Sequence, residues 1–177
     1  MNYENGKKLA LLGFGLNLLV NVLFILSLFV PLNSMNTILN CGQYLSIGIA
    51  AFGYLLMWLS DKEMIDLLSC GATGIAAFLG LLNSVGIINT GSQFGSIIIS
   101  AILSAFYIVL ALRAKDFNIF ISLLLVCAFI YQVFSGLFFV NFLYGQVGLS
   151  FSLIFLVWFI GYAICAGICF VEVKMED

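Results

Sequence analysis

Between Asp66 and Arg113 the chain runs through 46 consecutive residues without a charged side chain. Charges crowd both edges: Asp61, Lys62, Glu63 and Asp66 before it, Arg113, Lys115 and Asp116 after it. Within it, Met64 to Ile88 reads as an apolar helix going out, Asn89 to Phe94 as an uncharged turn, and Gly95 to Leu112 as a helix coming back. A helix crosses a hydrocarbon core about 30 Å thick with about 20 residues. The stretch therefore reads as a transmembrane hairpin with both ends on one side of a bilayer.

The same pattern occurs before and after it. The spans expected are 9–30, 43–59, 65–88, 95–112, 117–140 and 148–171, and no soluble domain remains once they are subtracted. Only 8% of the 177 residues are charged and 64% are hydrophobic, with a mean hydropathy of +1.23. A soluble domain carries about a quarter charged residues to cover its exterior, whereas in lipid that need disappears. Barrel strands would be about 9–11 residues long and would alternate in polarity. These runs are longer and do not. The fold class predicted is an all-α polytopic bundle of six transmembrane helices, in three successive hairpins. The first run, stopped by Pro31, is too long for a signal h-region and lacks its small-residue cleavage site, so it reads as a retained helix.

All six basic residues fall in four places: Lys7 and Lys8, Lys62, Arg113 and Lys115, and Lys174. With six spans these share one side, and an excess of Lys and Arg marks the cytoplasm. Both termini are expected there, in a plasma or inner membrane. The lipid bilayer is the one environment the composition demands, and without a basic stripe nucleic-acid binding has no electrostatic footprint.

Several chemistries are disfavoured. With no His in the chain, neither a Ser-His-Asp nor a Cys-His site is available. No charge is expected well inside a span, which weighs against a proton relay or charge-coupled pump. Asp61, Glu63 and Asp66 read as a solvated turn. The five cysteines contain no CxxC and are odd in number, so neither a metal site nor a disulfide framework is indicated. Neither catalytic residue nor cofactor is expected; the chain does not read as an enzyme.

Two residue sets remain as candidate sites. The first is the uncharged polar set near mid-depth: Asn17, Asn21, Thr73, Ser104, Tyr107, Gln132 and Ser135. An amide or hydroxyl in hydrocarbon is costly unless partnered, so these should point inward. They would serve as packing bonds or as the neutral lining of a ligand site. The second is the small-residue rows Ala72, Gly74, Ala76 and Gly80 in the third span, and Gly161, Cys165 and Gly167 in the sixth. Small residues four apart let helices approach closely, either within the bundle or against a partner subunit. Tyr54, Tyr107 and Tyr162 sit at similar places in the returning helices, a weak hint of repeated hairpins.

Two functions follow. One is binding or translocation of a small neutral or apolar solute, alone or as the membrane subunit of a larger transporter. The other is a non-transporting accessory, immunity or assembly protein acting through helix contacts with a partner or a second copy. In size and helix count the chain is similar to the substrate-binding subunits of energy-coupling-factor vitamin transporters, which implies the first. Those subunits dock through alanines spaced by four on the first helix, a pattern missing from Ala10, Leu11, Leu12, Gly13, Phe14 and Gly15.

Overall fold

The computed structural model describes residues 3–29, 36–87, 94–137 and 150–176. These form six α-helices: α1 (Tyr3–Ser27), α2 (Asn36–Asp61), α3 (Met64–Ser84), α4 (Phe94–Ala114), α5 (Ile119–Leu137) and α6 (Phe151–Met175). Five contain stretches long and apolar enough to cross a membrane, and α5 supplies a shorter apolar stretch, Ile119–Ser135. This is a multi-pass helical membrane protein.

The helices are longer at their polar ends than the hydropathy of the runs suggests. The leader from Tyr3 to Lys8 is the first two turns of α1, and the helix ends at Ser27, before the expected limit at Val30. Helix α2 begins at Asn36 rather than Gln43, so Cys41 lies in a helix and not in a loop. The expected outer ends of the fifth and sixth spans, 138–140 and 148–149, lie outside the described residues. Two of the turns explain themselves locally. Lys62 takes a φ of 65°, in the left-handed region, and the Asp61 carboxylate accepts from the Glu63 amide at 2.9 Å, so α2 reverses into α3 in two residues. Asn118 accepts from the amides of Phe120 and Ile121 at 3.0 and 3.3 Å, which caps the exposed donors at the start of α5.

Each helix packs against its neighbours in the chain, and α1 also packs against α6, closing the bundle. The closest approach joins α1 and α2. A methyl group at Gly6 would meet the carbonyl oxygen of Gly53 at 2.8 Å, and one at Gly13 would meet Ala50 Cα at 2.8 Å. Gly6, Ala10 and Gly13 thus lie against Ser46, Ala50 and Gly53 with backbone nearly on backbone. These residues are spaced by three and four, and among the described residues they form the seam where an added Cβ would meet backbone most closely, although the rows singled out above lie elsewhere.

Those rows also face helices of the same chain. Gly80 on α3 leaves room for the Tyr44 ring of α2, and Gly161 on α6 leaves room for the Tyr131 ring of α5. Gly74 faces Ala51, and Gly167 faces Leu18. Ala76 and Cys165 are buried, and Ala72 is partly buried.

Replacing Gly13 by Leu forces a side chain into fixed backbone. Overpacking of this kind costs about 1–3 kcal/mol or more. The variant is expected to melt well below the wild type in detergent, whereas Gly71→Leu, where an added Cβ meets nothing within 4 Å, stays within about 0.5 kcal/mol. Fluorescence-detected size exclusion after a temperature series compares the two.

Candidate functional site

Two buried polar regions lie inside the bundle, separated by a layer of aromatic rings. One is an ion-paired cluster at the end where the first and last helices meet, joined there by Lys7 donating to the main-chain oxygen of Glu176. The other is a cavity deeper along the helices.

The cluster is built on Arg113, near the end of α4. Its Nε and one terminal nitrogen donate to the two oxygens of Glu172 on α6, both at 2.8 Å. The other terminal nitrogen reaches Asp66 Oδ1 on α3 at 2.8 Å and Glu176 Oε1 at 3.0 Å. The Tyr54 ring of α2 packs beneath the guanidinium, 5.4 Å from its centroid. Asp66 is 1% exposed, Glu172 0% and Arg113 6%. The sequence-based reading of Asp66 as part of a solvated turn is therefore overturned, although Asp66, Arg113 and Glu172 all lie in the first or last turn of their helices and none is well inside a span. The reason is tertiary: one guanidinium pairs with carboxylates from two other helices, fully with Glu172 and through one oxygen with Asp66, so these groups are buried together. Asp61 and Glu63 remain exposed.

Above the cluster, Phe14, Tyr54 and Phe106 pack together with centroids 6.1 to 6.2 Å apart, and Tyr107 adjoins Phe106 at 5.6 Å. Beyond this layer lies the cavity, of about 310 Å³. Its wall draws on all six helices, from Asn40 and Asn83 at one extreme to Cys169 at the other. That size lies near the lower end of the range of about 300–1,000 Å³ for small-molecule sites. None of the described residues lining it is charged.

Two hydrogen-bond networks hold the polar wall. On one side Asn17 donates to Ser46 Oγ at 2.9 Å and to the Gln43 carbonyl at 3.1 Å, joining α1 to α2. On the other, Gln132 Nε2 donates to Ser100 Oγ at 2.9 Å and approaches the Tyr162 hydroxyl at 3.4 Å, joining α5 to α4 and α6. Ser135 lies 3.3 Å from the same Tyr162 hydroxyl and donates to the Gln132 carbonyl at 3.0 Å. Gln132 is 1% exposed, and its Oε1 has no hydrogen-bond partner among the described residues.

Of the seven polar residues named from the sequence, the structure brings Asn17, Thr73, Tyr107, Gln132 and Ser135 to the cavity. Asn21 and Ser104 are buried beside it. Asn21 donates to the Asn17 carbonyl at 2.8 Å, and Ser104 bonds back to the Ser100 carbonyl at 2.7 Å. Ser100, Tyr44 and Trp158 line the cavity without having been singled out as a lining. The spacing of Phe155, Trp158, Phe159, Tyr162, Ala166 and Cys169 along α6 puts them on one face, a signal readable in the sequence but masked by its general abundance of aromatics.

Comparison with protein-family models, curated proteins and solved structures gave no match.

Removing one partner of a buried ion pair leaves the others uncompensated, at a cost of about 3–5 kcal/mol. Arg113→Ala is expected to be among the most destabilising single changes in the chain. Arg113→Lys is expected to recover only part of the loss, because an ammonium cannot make the two-pronged bond to Glu172. Thermal denaturation in detergent, with Lys115→Ala as an exposed control, orders the three.

Proposed function

We propose that this membrane protein binds a small uncharged solute in the central cavity and carries it across the bilayer, either alone or as the membrane subunit of a larger transporter. The observation behind this reading is a built, uncharged polar wall inside a lipid-embedded bundle. Packing bonds between helices are individually weak, about 0.6 kcal/mol on average, so stability alone gives little reason to keep a cavity lined with amides and hydroxyls. A charged solute would meet no countercharge on the described wall; a neutral one meets donors and acceptors together with apolar surface.

The small-residue rows support the same preference. They lie against helices of this chain, so they add nothing to a reading based on an outward docking seam.

We place the ion-paired end on the cytoplasmic side of a plasma or inner membrane. Lys7, Lys8, Lys62, Lys115 and Lys174 flank that end together with Arg113, and the positive-inside rule favours it. In this arrangement the aromatic layer and the Arg113 cluster lie between the cavity and the cytoplasm. Passage of a solute requires α3, α4 and α6 to part there.

The test is native mass spectrometry of the protein released from lipid nanodiscs. The wild type is expected to retain a small-molecule adduct, and Leu103→Trp, which places an indole in the cavity, is expected to lose it while keeping the same melting profile. Equal adducts on both proteins, or none on the wild type after mild extraction, would count against the reading.

A further inference from the structure

The charged end of the bundle gathers more acids than bases. We infer that Asp66 is a proton-binding site: it holds a proton at Oδ2 while the Arg113 cluster is closed, and gives it to water when α3 moves away. The inference rests on the cluster alone and not on what the cavity holds.

The geometry is that of two acids on one nitrogen. A single terminal nitrogen of Arg113 reaches Asp66 Oδ1 at 2.8 Å and Glu176 Oε1 at 3.0 Å. The other two nitrogens are taken by Glu172. Asp66 Oδ2 is left over, buried and without a hydrogen-bond partner among the described residues, on a side chain of a residue 1% exposed. Both oxygens of a carboxylate are acceptors only, so no rotation of the group changes this. An ionised Asp66 would keep part of its charge where neither a donor nor water reaches it, which is costly. A protonated Asp66 still accepts from Arg113 through Oδ1 and carries no charge on Oδ2. Glu176 Oε2 is also buried without a hydrogen-bond partner, so the carboxylate beside it offers the proton an acceptor.

The surrounding charges agree. From α1 come Lys7, bonded to the main-chain oxygen of Glu176, and the neutral phenol of Tyr3. From α2 come the Tyr54 ring and, at the exposed end, Asp61; Glu63 precedes Asp66 itself. The remaining lysines lie elsewhere: Lys8 pairs with Glu4 at 2.9 Å, Lys62 sits over the Trp58 ring at 4.6 Å, and Lys115 and Lys174 are exposed. Inside the cluster three carboxyl groups, Asp66, Glu172 and Glu176, therefore face two cations, Arg113 and Lys7. A like charge beside a buried carboxyl favours its neutral form, and one proton balances the count. When α3 parts from Arg113, the Asp66 O–H ionises and the proton passes to water. Opening that end is thus coupled to the release of one proton, and acid at that face holds it shut.

Thermal melting of the full-length protein in nanodiscs tests this between about pH 5.5 and 7.5. The chain has no His, so no ordinary side chain titrates in that window. A folded state that holds one proton more than the unfolded chain gains stability as the pH falls, whereas a fully ionised pair does not. The wild type is expected to melt about 3–5 °C higher for each unit of acidification. Asp66→Asn is neutral at every pH and keeps an oxygen for Arg113. It is expected to lose that slope and to melt at least as high as the wild type at the upper end. Replacing sodium by choline at constant ionic strength is expected to change neither curve. Infrared spectroscopy of the wild type at neutral pH is expected to show a protonated-carboxyl band that moves on carboxyl carbon-13 labelling of aspartate; Asp66 is the one buried aspartate among the described residues. The assignment is overturned by a melting point that is flat or falls on acidification, or by a curve that follows sodium instead of pH. It is equally overturned by Asp66→Asn melting as low as Arg113→Ala, or by an acid band that is absent or moves only with labelled glutamate. The infrared measurement needs only the wild type, so it decides the matter even where the variant does not fold.

Discussion

A guanidinium taken out of water must find its partners inside the protein, and one end of this bundle is arranged around that need at Arg113. The side chain comes from α4, its carboxylates from α3 and α6, and the ring beneath it from α2. One residue therefore fixes four helices relative to one another. Lys7 of α1 joins the same cluster through Glu176. Breaking any one of these contacts strands charge in a medium that solvates it poorly, which makes the cluster cooperative: it holds together or it opens as a unit.

The rest of the interior follows the same rule with weaker groups. Asn17, Asn21, Ser100 and Gln132 are costly to bury unpaired in hydrocarbon, and their donor groups bond across helices or back to their own backbone. Glycine and alanine do the complementary work. Where Gly13 meets Ala50 and Gly53 meets Ala10, the absence of side chains lets α1 and α2 approach until their backbones touch. The same two helices also contribute Phe14 and Asn17, and Gln43, Tyr44 and Ile47, to the cavity wall.

How much of this was legible in the sequence depends on whether a property is local or tertiary. Six helices could be read from run length alone, because crossing a bilayer fixes the length of each. Helix ends were misread wherever polar residues continue the helix: Tyr3 to Lys8 and Asn36 to Gly42 look like leader and loop by hydropathy but lie within α1 and α2. The inward polar set was legible because an amide in an apolar run has nowhere else to go. The ion cluster was not. Asp66 and Arg113 are 47 residues apart and Arg113 and Glu172 are 59 apart, and each sits where interfacial charges ordinarily flank a span. Only the packing of α3, α4 and α6 distinguishes a buried pair from a solvated one. The α1–α2 seam is harder to read for a simpler reason: its small residues alternate between spacings of three and four, whereas a spacing of four is the pattern that marks Ala72, Ala76 and Gly80.

The direct measurement of the central claim is solid-state NMR dipolar recoupling in lipid bilayers, with nitrogen-labelled arginine and carboxyl-labelled glutamate. Arg113 is the only arginine in the chain, so its guanidinium signal needs no assignment. The account predicts strong coupling of the guanidinium nitrogens to the Glu172 carboxyl carbon, lost in Glu172→Gln, and weak coupling to lipid phosphorus. The contrary result is a guanidinium coupled to phosphate and not to Glu172. It would mean that Arg113 reaches outward to the headgroups, and that the end of the bundle is held by something other than this buried cluster.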